Sequence, residues 1–118
     1  MRSESATVAD LIGAAEFILE FTSGLDRDAF LSDPKTQSAI LYQFLELGEA
    51  VKRLSAGFRD RHPTIPWQQI PGMRDFAIPG YDAIELDDVW DAAVADVPDL
   101  LAYLHAIPAG DEDRSALQ

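Results

Sequence analysis

The sequence of 118 residues contains no cysteine, which excludes disulfides, thiolate metal sites and cysteine nucleophiles. It also has no apolar run near the ~20 residues that cross a bilayer and no basic-then-apolar signal peptide, so we expect a cytoplasmic protein without membrane contact. Basic residues are scarce, with 9 Lys and Arg against 21 Asp and Glu and a net charge of −12. A length of 118 residues leaves room for one domain. A hydrophobic fraction of 47% and a charged fraction of 25% are typical of a globular protein and exclude a disordered chain.

The sequence contains two histidines, as few as its methionines and tryptophans. His62 and His105 lie far apart, and neither has a second histidine three or four positions away, as a metal site on a helix would require. We predict a local hydrogen-bonding role for His62 and a helix C-terminal position for His105. Glycines are not spaced as in a phosphate-binding loop. The sequence therefore predicts no metal and no cofactor.

The few basic residues are concentrated in one segment. Residues 51–74 contain five bases and one acid, whereas residues 1–50 contain three bases and nine acids, and residues 75–118 contain one base and eleven acids. We call four of the five bases the basic strip: Lys52, Arg53, Arg59 and Arg61. Such a strip is compatible with binding phosphate or an acidic partner, and equally with a solvated helix end. Charge alone does not separate these interpretations.

Apolar residues recur at helical spacing in the first half of the chain. The pattern predicts a first helix that ends near Ser23 and Gly24, and a short helical piece over 28–31. Asp33 is the predicted N-cap of the next helix, and the proline after it stands at the first helical position. The helix that begins there should continue to about Ser55, with Gly57 as its stop.

The second half of the chain opens with a segment that cannot be regular helix. Two prolines within 62–67 exclude it, and we expect Ile65 and Trp67 to anchor this loop in the core. A shorter helix should lie between 72 and 80. A last helix over 86–104 should be kinked or interrupted by Pro98.

No alternating strand pattern and no internal repeat is present. The prediction is an all-α, four-to-five-helix up-and-down bundle over residues 1–107, with a flexible acidic tail over 108–118. Trp67 and Trp90 are predicted core anchors, and acids at Asp87, Asp88 and Asp91 suit the first turn of a helix, where they serve capping and solubility. Several aromatic positions fall outside the apolar stripes and predict a dimer interface: Phe17, Phe21 and Tyr42.

Residues 72–81 read Gly-Met-Arg-Asp-Phe-Ala-Ile-Pro-Gly-Tyr, after Ile-Pro-Trp-Gln-Gln-Ile at 65–70. With Leu-Gly-Glu-Ala at 47–50, and Val-Trp at 89–90 followed by Val-Pro-Asp-Leu-Leu at 97–101, this stretch resembles the HepT-like branch of the HEPN-domain family. The resemblance covers nearly the whole chain. It implies the HEPN-type bundle, a homodimer, and a metal-independent endoribonuclease that serves as the toxin of a toxin–antitoxin pair.

The family signature is Arg, a polar residue, three or four further positions, then His, any residue and Tyr. Here Arg74, Asp75 and Tyr81 match, whereas Pro79 stands at the histidine position. The resemblance implies that Arg74 and Asp75 are catalytic and that two motifs meet across the dimer. Arginine can stabilise phosphorane charge, but proline has no titratable atom to move a proton. We therefore predict weak or absent RNA cleavage.

The family partner is a minimal nucleotidyltransferase antitoxin, which in some systems adds AMP to the motif tyrosine, here Tyr81. The basic strip would then contact RNA. An alternative is a non-catalytic dimeric protein that binds this partner, RNA or both. Another is that Pro79 is a substitution in this one chain, chosen or selected to abolish toxicity. Without the resemblance, Arg74 would be assigned to a surface ion pair and Tyr81 to the core.

Overall fold

The computed structural model describes residues 3–70 and 85–108. Within them every regular element is helical, and no strand is present in either range. These elements are α1 (Glu4–Thr22), α2 (Arg27–Leu31), α3 (Pro34–Lys52), α4 (Ala56–Arg61), α5 (Leu86–Asp91), a π-helical segment (Ala92–Asp96) and α6 (Val97–His105). The predicted all-α bundle is confirmed. The helix predicted between 72 and 80, and all of the predicted tail except Pro108, lie outside the described residues.

Helix α1 ends where the sequence predicts. The side chain of Ser3 accepts a hydrogen bond from the Ala6 N–H, and the chain leaves the helix through Gly24 at φ 79°. A positive φ is nearly free for glycine and strained for other residues. The buried face of α1 comprises Val8, Leu11, Ala14, Ala15 and Ile18, and it packs against α3 and α6.

Helix α3 starts at the predicted cap. The Asp33 carboxylate accepts from the Thr36 N–H at 3.2 Å and from the Thr36 hydroxyl at 2.6 Å, with Pro34 in the first turn. Four apolar residues that recur along α3 are buried, namely Ile40, Phe44, Leu47 and Val51, and Leu41 is partly buried against the core. The N-terminal half of the bundle therefore follows directly from capping and helical periodicity.

The predicted end of α3 is wrong. The helix stops at Lys52, and Ser55 begins a separate helix by accepting from the Phe58 N–H at 3.0 Å. Gly57, expected to be the stop, lies inside α4. The Ser55 N–H donates to Glu4 Oε1 at 2.9 Å. This contact with the start of α1 lies just after the end of α3, and no local pattern indicates a partner 51 positions away.

The proline-containing loop after α4 is not helical, and its two predicted anchors are buried. Trp67 Nε1 donates to the carbonyls of Arg59 and His62, at 3.2 and 3.0 Å. Trp90 packs on Phe30 with ring centroids 5.3 Å apart, which joins α5 to α2. Both tryptophans are core residues, as predicted.

Pro98 interrupts the last helix, as predicted, but the disturbance lies in the turn before it. The Val97 N–H bonds to the Ala92 carbonyl, an i to i−5 bond that marks the π-helical segment. Proline lacks an N–H and its ring clashes with the carbonyl four residues earlier, so one wider turn accommodates it. In the described ranges, no helix has the length and apolar character needed to cross a membrane.

Candidate nucleic-acid interface

Four residues of the predicted motif, Arg74, Asp75, Pro79 and Tyr81, lie outside the described residues. Their proposed roles stay predictions. The described part of the candidate site is the basic strip, helix α4 and the loop that leads toward the motif.

Three of the four side chains of the basic strip lie near carboxylates. Lys52 Nζ is 3.8 Å from Glu49 Oε1 on the same helix, and Arg53 Nη2 is 3.4 Å from Asp10 Oδ2 on α1. Arg61 Nη2 is 3.9 Å from Glu4 Oε2. Acids of α1 and α3 therefore offset much of the positive charge of the strip. RNA contact by these residues stays a prediction.

Glu4 joins the strip to the start of α1. One carboxylate oxygen accepts from the Ser55 N–H, and the other faces the Arg61 guanidinium. The Arg61 guanidinium carbon also lies 5.6 Å from the centre of the Phe58 ring, within cation–π range. These contacts give Arg61 a structural role at the end of α4.

Arg59 differs from the rest of the strip. In the described part of the chain no carboxylate lies within ion-pair distance of its guanidinium, and its Nε is buried without a hydrogen-bond acceptor there. The side chain borders an open cavity of about 430 Å³ beside α4. The cavity is lined by Ala56, Arg59, Asp60, Pro63, Ile65, Pro66, Trp67 and Gln68. We call it the α4 cavity, and the described residues of its lining supply a cation (Arg59), a carboxylate (Asp60) and an apolar wall.

A second cavity, of about 260 Å³, lies between the loop and the last helix. It shares Pro66 with the α4 cavity, and its acidic residues are Asp96 and Asp99. None of the described residues that line this acidic cavity is basic.

His62 is the C-cap residue that follows α4. Its ring packs against Phe58, with ring centroids 4.7 Å apart. Its backbone carbonyl accepts from the Trp67 indole, and the local hydrogen-bonding role of the imidazole stays a prediction. His105 is the last residue of α6, as predicted. The described residues contain no group of His, Asp and Glu side chains able to hold a metal ion.

One ion-pair cluster joins two elements that are far apart in the chain, and sequence patterns do not indicate it. Arg27 on α2 bonds Asp87 at 2.8 Å and Asp91 at 2.5 Å. These hydrogen bonds, first that to Asp91 and then that to Asp87, raise the pKa of the Arg27 guanidinium above its ordinary value. The sequence predicts capping and solubility for the two acids, yet they connect α5 to α2. No local pattern could have indicated partners 60 and 64 positions apart.

The aromatic residues expected at an interface divide into two groups. Phe17 is 48% exposed and Tyr42 is 57% exposed. Phe21 instead packs partly against the core and stacks on Phe17, with centroids 5.6 Å apart. Phe21 therefore lies at the margin of the core and contacts the exposed Phe17 ring.

Comparison with known proteins identifies the family. A family model described as "Ribonuclease HepT-like" matches residues 11–107. The chain is 34% identical over 102 residues to a "Putative RNase" of Methanocaldococcus jannaschii, with 86% of this chain and 84% of the relative covered. It is 35% identical over 99 residues to the "Probable ribonuclease HepT" of Thermococcus cleftensis, covering 84% and 90%. No significant match was found among solved structures. The chain belongs to the HepT-like ribonuclease family.

Proposed function

We propose that this protein is the toxin component of a toxin–antitoxin pair, a ribonuclease by descent whose cleavage is weakened by Pro79. The observation that carries the proposal is the family match over 11–107 together with proline at the motif's histidine position. RNA cleavage needs a group that moves a proton to or from the ribose 2′-hydroxyl or the leaving oxygen, and a cation for the phosphorane charge. Arg74 supplies only the second. The RNA and the ATP of such a system occur in the cytoplasm, where we place the protein.

The test is to restore the missing group. Because general acid–base assistance contributes about 10²–10⁴-fold, Pro79→His should raise RNA cleavage by a factor in that range. The gain should disappear in the double variant Pro79→His, Arg74→Ala, since the cation would then be missing. Cleavage is measured on end-labelled single-stranded RNA without added metal. Efficient cleavage by the unaltered chain that Arg74→Ala abolishes would show that another residue moves the proton.

The same proposal assigns Tyr81 as the site of AMP addition by a nucleotidyltransferase partner. The phenolic oxygen would attack the α-phosphorus of ATP, forming an O–P bond as pyrophosphate leaves and the phenolic proton passes to a base. The product would place negative charge seven positions from Arg74 in the sequence, repelling RNA phosphate. Intact-mass analysis after incubation with partner and ATP should show one AMP per chain, and none for Tyr81→Phe. An adduct that persists in Tyr81→Phe would contradict this assignment.

The absence of a proton-transfer group at position 79 also supports a second function. A dimeric protein without catalysis would retain the bundle and bind the nucleotidyltransferase, RNA or both. The two candidates separate in the Pro79→His experiment, because a chain that has lost more than the histidine would stay inactive. RNA binding without any recovered cleavage would favour the binding protein.

A further inference from the structure

We propose that the α4 cavity is a subsite for one unstacked nucleotide of RNA, with a preference for guanine. This inference rests on the proposed function, since it concerns the RNA that a HepT-like protein would bind. The cavity volume of about 430 Å³ lies within the ~300–1,000 Å³ of small-molecule pockets. Gln68, one of the described residues that line it, precedes Arg74 by six positions in the sequence.

Arg59 provides the phosphate contact. In the described residues it is the one member of the basic strip without a carboxylate within ion-pair distance, and its buried Nε has no acceptor there. The Nε is too buried for a ligand to contact it, so the phosphate contact would be made by the terminal Nη groups. The planar guanidinium presents parallel N–H groups that match two oxygens of one phosphate.

Asp60 and Gln68 provide polar contacts for a base. Both are exposed side chains that line the cavity. A carboxylate accepts two parallel hydrogen bonds, and the guanine Watson–Crick edge presents two adjacent donors, N1–H and the N2 amino group. Adenine and cytosine present one donor group each, and uracil presents a single N–H between two carbonyls. Among the four bases, guanine therefore complements Asp60 best.

The wall of the cavity is apolar and held in place. Pro63 and Pro66 fix their own φ angles, and Ile65, which also lines the cavity, is buried. The Trp67 indole is held by hydrogen bonds to the carbonyls of Arg59 and His62. A wall that is ordered before binding loses little entropy on binding. Proteins read single-stranded RNA by placing unstacked bases in such pockets and bonding their edges.

Fluorescence anisotropy tests the proposal with two labelled RNA pentamers, UUGUU and UUAUU, titrated with the full-length protein and checked for intactness on a gel. We expect UUGUU to bind at least about 10-fold more tightly than UUAUU. Arg59→Gln should weaken UUGUU binding by at least about 10-fold. The matched variant Arg53→Gln removes the same charge outside the cavity and should cost much less. Arg59→Gln keeps the backbone carbonyl that holds Trp67, and circular dichroism verifies its fold.

Asp60→Asn separates base recognition from overall charge. Removing an acid strengthens RNA binding in general, so the informative quantity is the ratio of UUGUU to UUAUU affinity, which should fall toward 1. An unchanged ratio, or equal losses for Arg59→Gln and Arg53→Gln, would overturn the subsite while leaving RNA binding intact. Failure of both pentamers to bind would overturn the subsite and the proposed RNA function together. Guanosine 5′-monophosphate that competes as well as UUGUU would assign the cavity to a free nucleotide and overturn the RNA assignment.

Discussion

Asp33 shows how one capping side chain couples stability to pH. Its carboxylate accepts from the Thr36 hydroxyl and from the Thr36 N–H, and these bonds lower its pKa below the ordinary value of 3.8. The hydroxyl contact is the larger cause. Both bonds favour the ionised form of the cap at the start of α3.

The lowered pKa predicts an acid-dependent loss of stability. A group whose pKa is lower in the folded state stabilises the fold above its unfolded pKa, and this contribution is lost as the pH falls through the folded pKa. Relative to Asp33→Asn, the melting temperature of the wild type should be constant above about pH 5 and should fall below about pH 4. Asparagine still accepts from the Thr36 N–H, so the variant keeps the cap and removes only the titration. A difference that stays constant through the acid range would contradict this account.

At the scale of single elements, α4 shows that a glycine need not end a helix. Gly57 lies within α4 without a positive φ, and a Cβ there would meet Arg61 Nη1 at 3.9 Å and Ser55 Oγ at 4.0 Å. Both distances are ordinary van der Waals contacts. Gly24 has open space around it but a φ of 79°, so only backbone strain opposes a side chain there.

These two glycines should respond in opposite directions to the same substitution. Gly57→Ala should raise the free energy of unfolding by about 0.5–1 kcal/mol, because alanine has less conformational freedom to lose in a helix. Gly24→Ala should lower it by about 1–2 kcal/mol, because L-residues are strained at positive φ. Urea unfolding measures both changes. Destabilisation by Gly57→Ala would place the true end of α3 near Gly57, as the sequence pattern suggests.

For the whole molecule, the exposed aromatic residues predict the oligomeric state. Phe17 on α1 and Tyr42 on α3 lie on two helices that pack against each other, and both are about half exposed. Large exposed apolar groups on neighbouring elements are typical of protein interfaces. They support the homodimer that the proposed composite ribonuclease site requires.

Light scattering at micromolar concentration should therefore report a dimer. Phe17→Glu should shift the protein toward monomer, because a buried unpaired carboxylate at the interface is costly. Tyr103→Glu is the matched control, since Tyr103 is 42% exposed on α6 and belongs to neither α1 nor α3. A monomeric wild type would remove the composite site. Equal effects of both variants would place the interface elsewhere.

The sequence by itself determined the features that depend on neighbours three or four positions apart. The caps at Ser3 and Asp33, the glycine turn after α1 and the interruption before Pro98 all arise from such local hydrogen bonds and dihedral preferences. Helical periodicity likewise predicted the buried faces of α1 and α3. The residue types around Arg74 and their spacing are enough to indicate the family.

Tertiary structure alone decided what depends on residues far apart in the chain. The contact between Glu4 and Ser55 spans 51 positions and lies just after the end of α3. The contact between Asp10 and Arg53 spans 43 positions and offsets a predicted RNA-binding charge. The position of Arg59, with a cavity at its side and no acid paired to it in the described chain, also emerged only from packing. The packing of the helices sets these three features. A carboxylate attracts a cation strongly only when the fold brings the two within a few ångströms of each other.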